Sequence, residues 1–330
     1  MAGYARAWLG PRTWAQSPAK PIGLVAVGDS GAVLTSSNGT SWSPQTSGNS
    51  DTWLSVAYSN SLGSGSGRFC AVSFNGTVMY SDDLGVTWAY ASTVPQANQW
   101  TAIAWSPALN IFAAVSQNGT NRIMTSSDGN FWSTQSNPTG GSGYQWEGLC
   151  WSPDKATFCA VAANGNSFIQ TMTATSASNW ALGNAITGET SNENWAAVCW
   201  SSTLGKFCAV ADGVVAFSSM LSTDGVNWTP AAGGGGKAVF WSAAANLFAS
   251  LGGNTIKTSA AGASWTTQTT PTGTHDYHGV LWSDRLNLFV GVGLNGGFGA
   301  TPNVSSPPPA TTWTPHSTGS VYTRAVAENV

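Results

Sequence analysis

The chain has 330 residues, of which only 8% are charged and 11% aromatic, and it carries 18 tryptophans and a formal net charge of −3. So much aromatic content with so little charge excludes a disordered chain. The 11 basic residues are scattered singly, which excludes a duplex nucleic-acid binder needing clustered Lys and Arg against phosphates.

No run of 18 apolar residues is present to cross a membrane as a helix, so membrane insertion is not expected. The opening MAGYARAWLG lacks the apolar core of a signal peptide, which speaks against Sec-type export. Residues 1–20, with Trp8 and Trp14, stand outside the regularity that follows. They read either as a segment packed across the body of the protein or as a docking arm.

From residue 21 onward a unit of about 45 residues recurs seven times. The first copy is incomplete: a strand Leu24-VAV and a turn ending at Trp42 have no aromatic strand before them. Complete units follow. Each opens on a strand of alternating apolar and small residues, the period-2 signature of β structure: Trp53-LSVAYS, Trp100-TAIAWS, Trp146-EGLCWS, Trp195-AAVCWS, a weaker GKAVFWS and Tyr277-HGVLWS. A second strand follows a short connection: Phe69-CAV, Phe112-AAV, Phe158-CAV, Phe207-CAV, Phe248-ASL and Phe289-VGV. A turn ending in tryptophan closes each unit, at Trp42, Trp88, Trp132, Trp180, Trp228, Trp265 and Trp313.

Sixteen of the 18 tryptophans fall on these repeat positions. Four short strands per unit bury too little surface alone, so units must pack on one another around an axis. The predicted fold is all-β: residues 21–330 as a single seven-bladed β-propeller of four-stranded antiparallel blades. One repeat beyond Trp282, the pair Val326-Ala327 overlays the missing first strand, so the C-terminal strand is predicted to join the first blade and hide the sheet edges. The alternative is that Trp8 and Trp14 supply that strand from the N-terminus. The five cysteines sit at equivalent points of different repeats and are expected to be reduced, buried and apart.

The turns carry a motif. S-x-D-x-G-x-x-W occurs with Asp83, Gly85 and Trp88, and a form one residue shorter with Asp128, Gly129 and Trp132 and with Asp224, Gly225 and Trp228. This pattern resembles the Asp-box, or BNR repeat, of sialidase-like propellers. The expected role is structural: the aspartate accepts backbone N–H bonds, glycine takes positive φ and the tryptophan packs between sheets. The turn face is then one face of the ring. The opposite face carries the connections between blades and the hairpins between second and third strands, which vary in length and sequence, the usual arrangement for recognition.

Catalytic chemistry is hard to assemble. The sialidase resemblance implies three arginines around a carboxylate, yet only Arg122 falls on a second-to-third strand loop; Arg324 lies in the closing strand. Glycoside hydrolysis needs two facing carboxylates, and Glu147, Glu189, Glu193 and Asp276 are the candidates near the ligand face, with no pair marked. His275 and His278 flank Asp276 and Tyr277 and read as structural or surface residues. No phosphate loop or zinc spacing appears, so no cofactor or metal is expected and the chain is read as non-enzymatic. The candidate ligand contacts are Tyr90, Arg122, Tyr144, Glu189, Glu193, His275 and Asp276, a mixture that suits carbohydrate or protein.

The charge-poor repeat with W-S-P-x-x-x-x-F and S-x-D-G-x-x-W is similar to propellers of tailed bacteriophages. That resemblance implies a virion structural or receptor-binding protein of the tail or particle surface, made in the host cytoplasm. Its partners would be other virion proteins and a host-surface glycan or protein receptor. A carbohydrate-binding lectin, a diverged sialidase-like glycosidase and a cellular assembly factor are the alternatives.

Overall fold

The computed structural model describes residues 21–63, 65–166, 169–186, 193–213, 217–270, 275–294, 301–302, 313–314 and 321–329. Trp8, Trp14 and Glu189 lie outside the described residues.

Among the described residues, six four-stranded antiparallel sheets stand around a central channel, each running from an inner to an outer strand. The first is Thr323–Glu328, Leu24–Gly28, Ala32–Ser36 and Ser43–Thr46; the second is Trp53–Ser59, Arg68–Ser73, Val78–Ser81 and Ala89–Tyr90. The third comprises Trp100–Ser106, Ile111–Ser116, Ile123–Ser126 and Ser133–Gln135, and the fourth Trp146–Ser152, Thr157–Asn166, Ile169–Ala174 and Ala181–Leu182. The fifth holds Trp195–Ser201, Lys206–Ala211, Ser219–Ser222 and Thr229–Ala231, and the sixth Ala238–Ser242, Leu247–Gly252, Thr255–Ser259 and Thr266–Thr267.

The expectation of seven four-stranded blades is corrected to six. Among the described residues Asp276–Ser283 pairs only with Leu288–Leu294, and Thr301–Pro302 pairs with Trp313–Thr314 as a separate two-stranded sheet. Pro302, in the second of these pairs, has no N–H to donate to a further ladder. The two small sheets fill the sector between the sixth and first blades: Asp276–Ser283 packs against the inner strands on both sides, and Trp313 stacks on Phe289 at 6.0 Å.

The core lies between blades rather than within them. Val25, Val27 and Val33 of the first blade pack on Trp53, Val56 and Phe69 of the second, and the same pattern joins the third to the fourth through Ala113, Val115, Trp146 and Phe158. Phe69, Phe112, Phe158, Phe207, Phe248 and Phe289 are all essentially inaccessible. Each sheet alone would leave these rings wet; stacking sheets removes them from water, at about 25 cal/mol for each Å² of apolar surface.

Ring closure uses the C-terminal strand. Thr323–Glu328 pairs antiparallel with Leu24–Gly28, with Val326 opposite Ala26 and Ala327 opposite Val25. Polar groups lock the seam. Asn329 N donates to Gly23 O at 3.0 Å, Gly23 N donates to Asn329 Oδ1 at 2.6 Å, and Arg285 Nε donates to Glu328 Oε1 at 2.9 Å.

The tryptophan turns share one geometry. In the third blade Asp128 Oδ1 accepts from the N–H groups of Asn130 (2.8 Å) and Phe131 (2.9 Å), Gly129 has φ +76°, and Trp132 Nε1 donates to Gly129 O at 3.0 Å. Asp224, Gly225 and Trp228 repeat it in the fifth blade. In the second, Asp83 Oδ1 accepts from Thr87 N at 2.8 Å, Gly85 has φ +86°, and Trp88 Nε1 donates to Gly85 O at 2.9 Å. Burial alone would raise Asp224, but hydrogen bonds from Asn227, Val226 and Ser222 outweigh it and bring its carboxyl down to about 2.

All five cysteines are free. Their separation needs correcting: Cys150 lies directly across the strand pair from Cys159, and Cys199 across from Cys208. First and second strands of one blade each carry a cysteine, so the antiparallel register brings the two together. Burial pushes every one of these thiols up.

Candidate functional site

One irregularity recurs in the inner strands. The ladder slips between Trp53 and Ser55, Trp100 and Ala102, Trp146 and Gly148, Trp195 and Ala197, and Tyr277 and Gly279, and again where Gly28 meets Thr323. Each slip is a β-bulge with one extra residue: Leu54, Thr101, Glu147, Ala196, His278 and Arg324. A bulge turns its extra side chain out of the alternating pattern. All six line a single cavity of about 680 Å³ at one mouth of the channel, and Lys237, immediately before the sixth blade's inner strand, lines it too. The flanking aromatics Trp53, Trp100, Trp146, Trp195 and Tyr277 stay fully buried, so they anchor the start of each strand while the next residue faces the channel.

The mouth concentrates charge in a chain that has little. Glu147 and Asp212 supply carboxylates; Lys237, His278 and Arg324 supply nitrogen groups. Glu147 Oε1 accepts from Gln117 Nε2 at 2.7 Å. Burial raises its pKa, the Gln117 bond opposes this and the neighbouring Asp212 adds to it, leaving Glu147 at about 7. Lys237 Nζ lies 2.9 Å from Asp276 Oδ1 and 3.0 Å from His278 Nε2. Burial lowers His278; Asp276 opposes this while Lys237 and Arg324 reinforce it, so the ring is neutral at pH 7. His278 Nε2 also lies 3.1 Å from Asp276 Oδ2; an ammonium only donates and a carboxylate only accepts, so the ring tautomer decides which of the two Nε2 bonds. Arg324 Nη2 donates to Asp29 Oδ2 at 3.0 Å, with Nε also on Asp29.

Phe74, 42% exposed, adds an apolar surface on the second blade's side of the cavity. Neighbouring inner strands are stitched together beneath: Thr101 Oγ1 donates to Trp146 O at 2.7 Å, and Ile103 N donates to Ser55 Oγ at 3.2 Å. Among the described residues, no group of three or more His, Cys, Asp and Glu is arranged to hold a metal ion.

The residues singled out from the sequence are not brought together. Tyr144 is buried and stacks on Trp146 at 5.2 Å. Tyr90 is exposed, and its hydroxyl donates to Ser47 O at 2.8 Å, bracing the connection between the first two blades. Arg122 spends its guanidinium on the carbonyls of Gln117, Gly119 and Tyr144. Glu193 is buried with its backbone held by Gln170, and His275 is buried beside Tyr277. Asp276 stands behind the mouth as the partner of Lys237 and His278. Glu147, one of the sequence's candidate carboxylates, forms the site with Arg324 of the closing strand, with His278, which the sequence reads as structural, and with Lys237, which the sequence does not single out. A signal lies in the sequence: the position after the first aromatic anchor reads Leu, Thr, Glu, Ala and His, with Arg324 after Thr323 in the closing strand, the least uniform place in a uniform strand.

No family model matches the chain, and no curated protein does. Solved structures do. A streptogramin B lyase superposes with TM-score 0.64 at 12% identity, over 92% of this chain and 90% of that one. YCF48 bound to D1 peptide gives 0.54 at 16% identity, covering 78% and 82%. A chain of a nidogen/laminin complex gives 0.54 at 8% identity, covering 94% and 98%. The chain is a β-propeller. At these identities the likeness to the propellers extends to fold alone.

Proposed function

We propose that this β-propeller is a non-enzymatic recognition protein of a bacteriophage particle, a virion structural or receptor-binding component that takes its ligand at the channel mouth. The observation that carries the binding reading is the bulge at the start of successive inner strands, which turns Glu147, His278 and Arg324 into one cavity. The particle context rests on the resemblance of the W-S-P-x-x-x-x-F and Asp-box-like patterns to phage propellers. Of the propellers of similar fold, two are seen with a peptide or in a protein complex and one is a lyase, so the fold accommodates binding and turnover alike.

One observation favours a second reading. Burial holds Glu147 at about 7 beside the carboxyl of Asp212, and a carboxyl that can give or take a proton near neutral pH suits acid–base work on a glycan. A glycan array together with chromogenic glycosides separates the two. Saturable binding without hydrolysis supports recognition; hydrolysis abolished by Glu147→Gln would replace it with a glycosidase.

A further inference from the structure

The cavity-lining charges are sorted by sign around the ring. In the order of the inner strands the mouth positions are Leu54, Thr101, Glu147, Ala196, Lys237, His278 and Arg324. Glu147 is flanked by neutral Thr101 and Ala196 and faces His278 and Arg324 across the channel. Asp212, on the hairpin of the fifth blade, stands close enough to raise Glu147 and extends the acidic arc. The other three groups follow one another on adjacent inner positions as a nitrogen-bearing arc.

These arcs do not satisfy one another. Among the described residues no hydrogen bond or ion pair joins Glu147 or Asp212 to Lys237, His278 or Arg324. Lys237 and Arg324 are instead held from behind by carboxylates that do not line the cavity, and Glu147 by a neutral amide. Asp29 grips Arg324 through Nε and Nη2, leaving Nη1; Asp276 grips Lys237; Gln117 holds Glu147 through Oε1, leaving Oε2. Groups positioned this way keep their remaining hydrogen-bonding capacity turned inward. A cavity of about 680 Å³ is ordinary for a small-molecule site, and the remaining charge-assisted N–H donors on one side, facing carboxylate acceptors on the other, favour a ligand with a carboxylate at one end and an ammonium at the other.

We infer that the channel mouth takes a zwitterionic ligand, its cationic group against Glu147 and Asp212 and its carboxylate against Lys237, His278 and Arg324. This rests on the reading of the mouth as the recognition site and names the chemistry it recognises. Two sources carry that chemistry: a peptide with free termini, and an amino sugar bearing a carboxylate.

Isothermal titration calorimetry on the full chain tests it with triglycine and with muramic acid. The controls are N-acetyltriglycine, triglycine amide and N-acetylmuramic acid, each lacking one charge. Saturable binding of one zwitterion, weakened at least tenfold by blocking either charge, is expected, and which zwitterion binds identifies the source. Glu147→Gln and Lys237→Gln should each weaken it at least tenfold, with circular dichroism and melting confirming that both variants fold. Binding of neither zwitterion, or equal binding of the blocked forms, overturns the inference. If a neutral glycan from the array still binds, the recognition reading stands while the zwitterion assignment falls.

Discussion

Replacing Glu147 by glutamine changes one atom in the channel mouth and removes a charge that the fold holds at a cost. The carboxyl moves from an ordinary 4.5 to about 7 because burial disfavours its ionised form. Between those values the folded chain retains a proton that the unfolded chain has released, so stability falls as pH rises through the window. Each pKa unit is about 1.4 kcal/mol, which puts the whole window at roughly 3 kcal/mol before water in the open mouth screens it. Glutamine keeps an acceptor for Gln117 and carries no charge. Above pH 7 the variant should therefore be more stable than the parent by about 1–3 kcal/mol, or roughly 2–6 °C in melting temperature. At about pH 4.5 the two should melt together. Calorimetric melts from about pH 4 to pH 8 measure this directly, and parallel pH profiles for parent and variant would refute the electrostatic account of the mouth.

Three other outcomes follow from the fold. A Cβ at Gly28 would meet Tyr322 O at 1.9 Å, so Gly28→Ala should open the closing seam and cost at least about 2 kcal/mol, whereas Gly143→Ala, with nothing within 4 Å, should be near neutral in denaturant melts. Asp224→Ala strips the acceptor from the Val226 and Asn227 amides and should cost about 1 kcal/mol at neutral pH. Because Asp224 is held near 2, its contribution is present above about pH 3.8 and fades as pH falls toward 2, so acid melts of parent and variant should converge there. The four buried thiols, Cys70, Cys159, Cys199 and Cys208, should resist a disulfide reagent in the native protein and all five should react in guanidinium; rapid native reaction of Cys159 or Cys208 would contradict their burial.

Much of the architecture was legible because burial is periodic. The second-strand phenylalanines and the turn tryptophans mark inter-blade contacts, and Val326-Ala327 announced the closing strand by matching the missing V-A of the first unit. The count of four-stranded blades was not legible in the same way, since Trp313 keeps its place against Phe289 while the strands around it pair only two by two.

The site was hidden by the alternation itself. Strict period-2 reading assigns a face to every residue, and a bulge that turns Glu147 or His278 into the channel leaves no mark in hydrophobicity. Tyr144 and Arg122 were attractive as loop aromatic and loop cation, but one fills a gap beside Trp146 and the other satisfies loop carbonyls. Glu147 and His278 are half-buried and stand apart in sequence; only the circular order of blades sets them in one cavity.

The central claim is that recognition occurs at the channel mouth rather than on the outer rim. Binding of the ligand that the glycan array or the calorimetry identifies, compared for the parent, the mouth variants Glu147→Gln and Lys237→Gln, and the rim variant Tyr90→Phe, tests it most directly. The account predicts a saturable signal that both mouth variants lose and the rim variant keeps. A signal retained by both mouth variants and lost with Tyr90→Phe would contradict it.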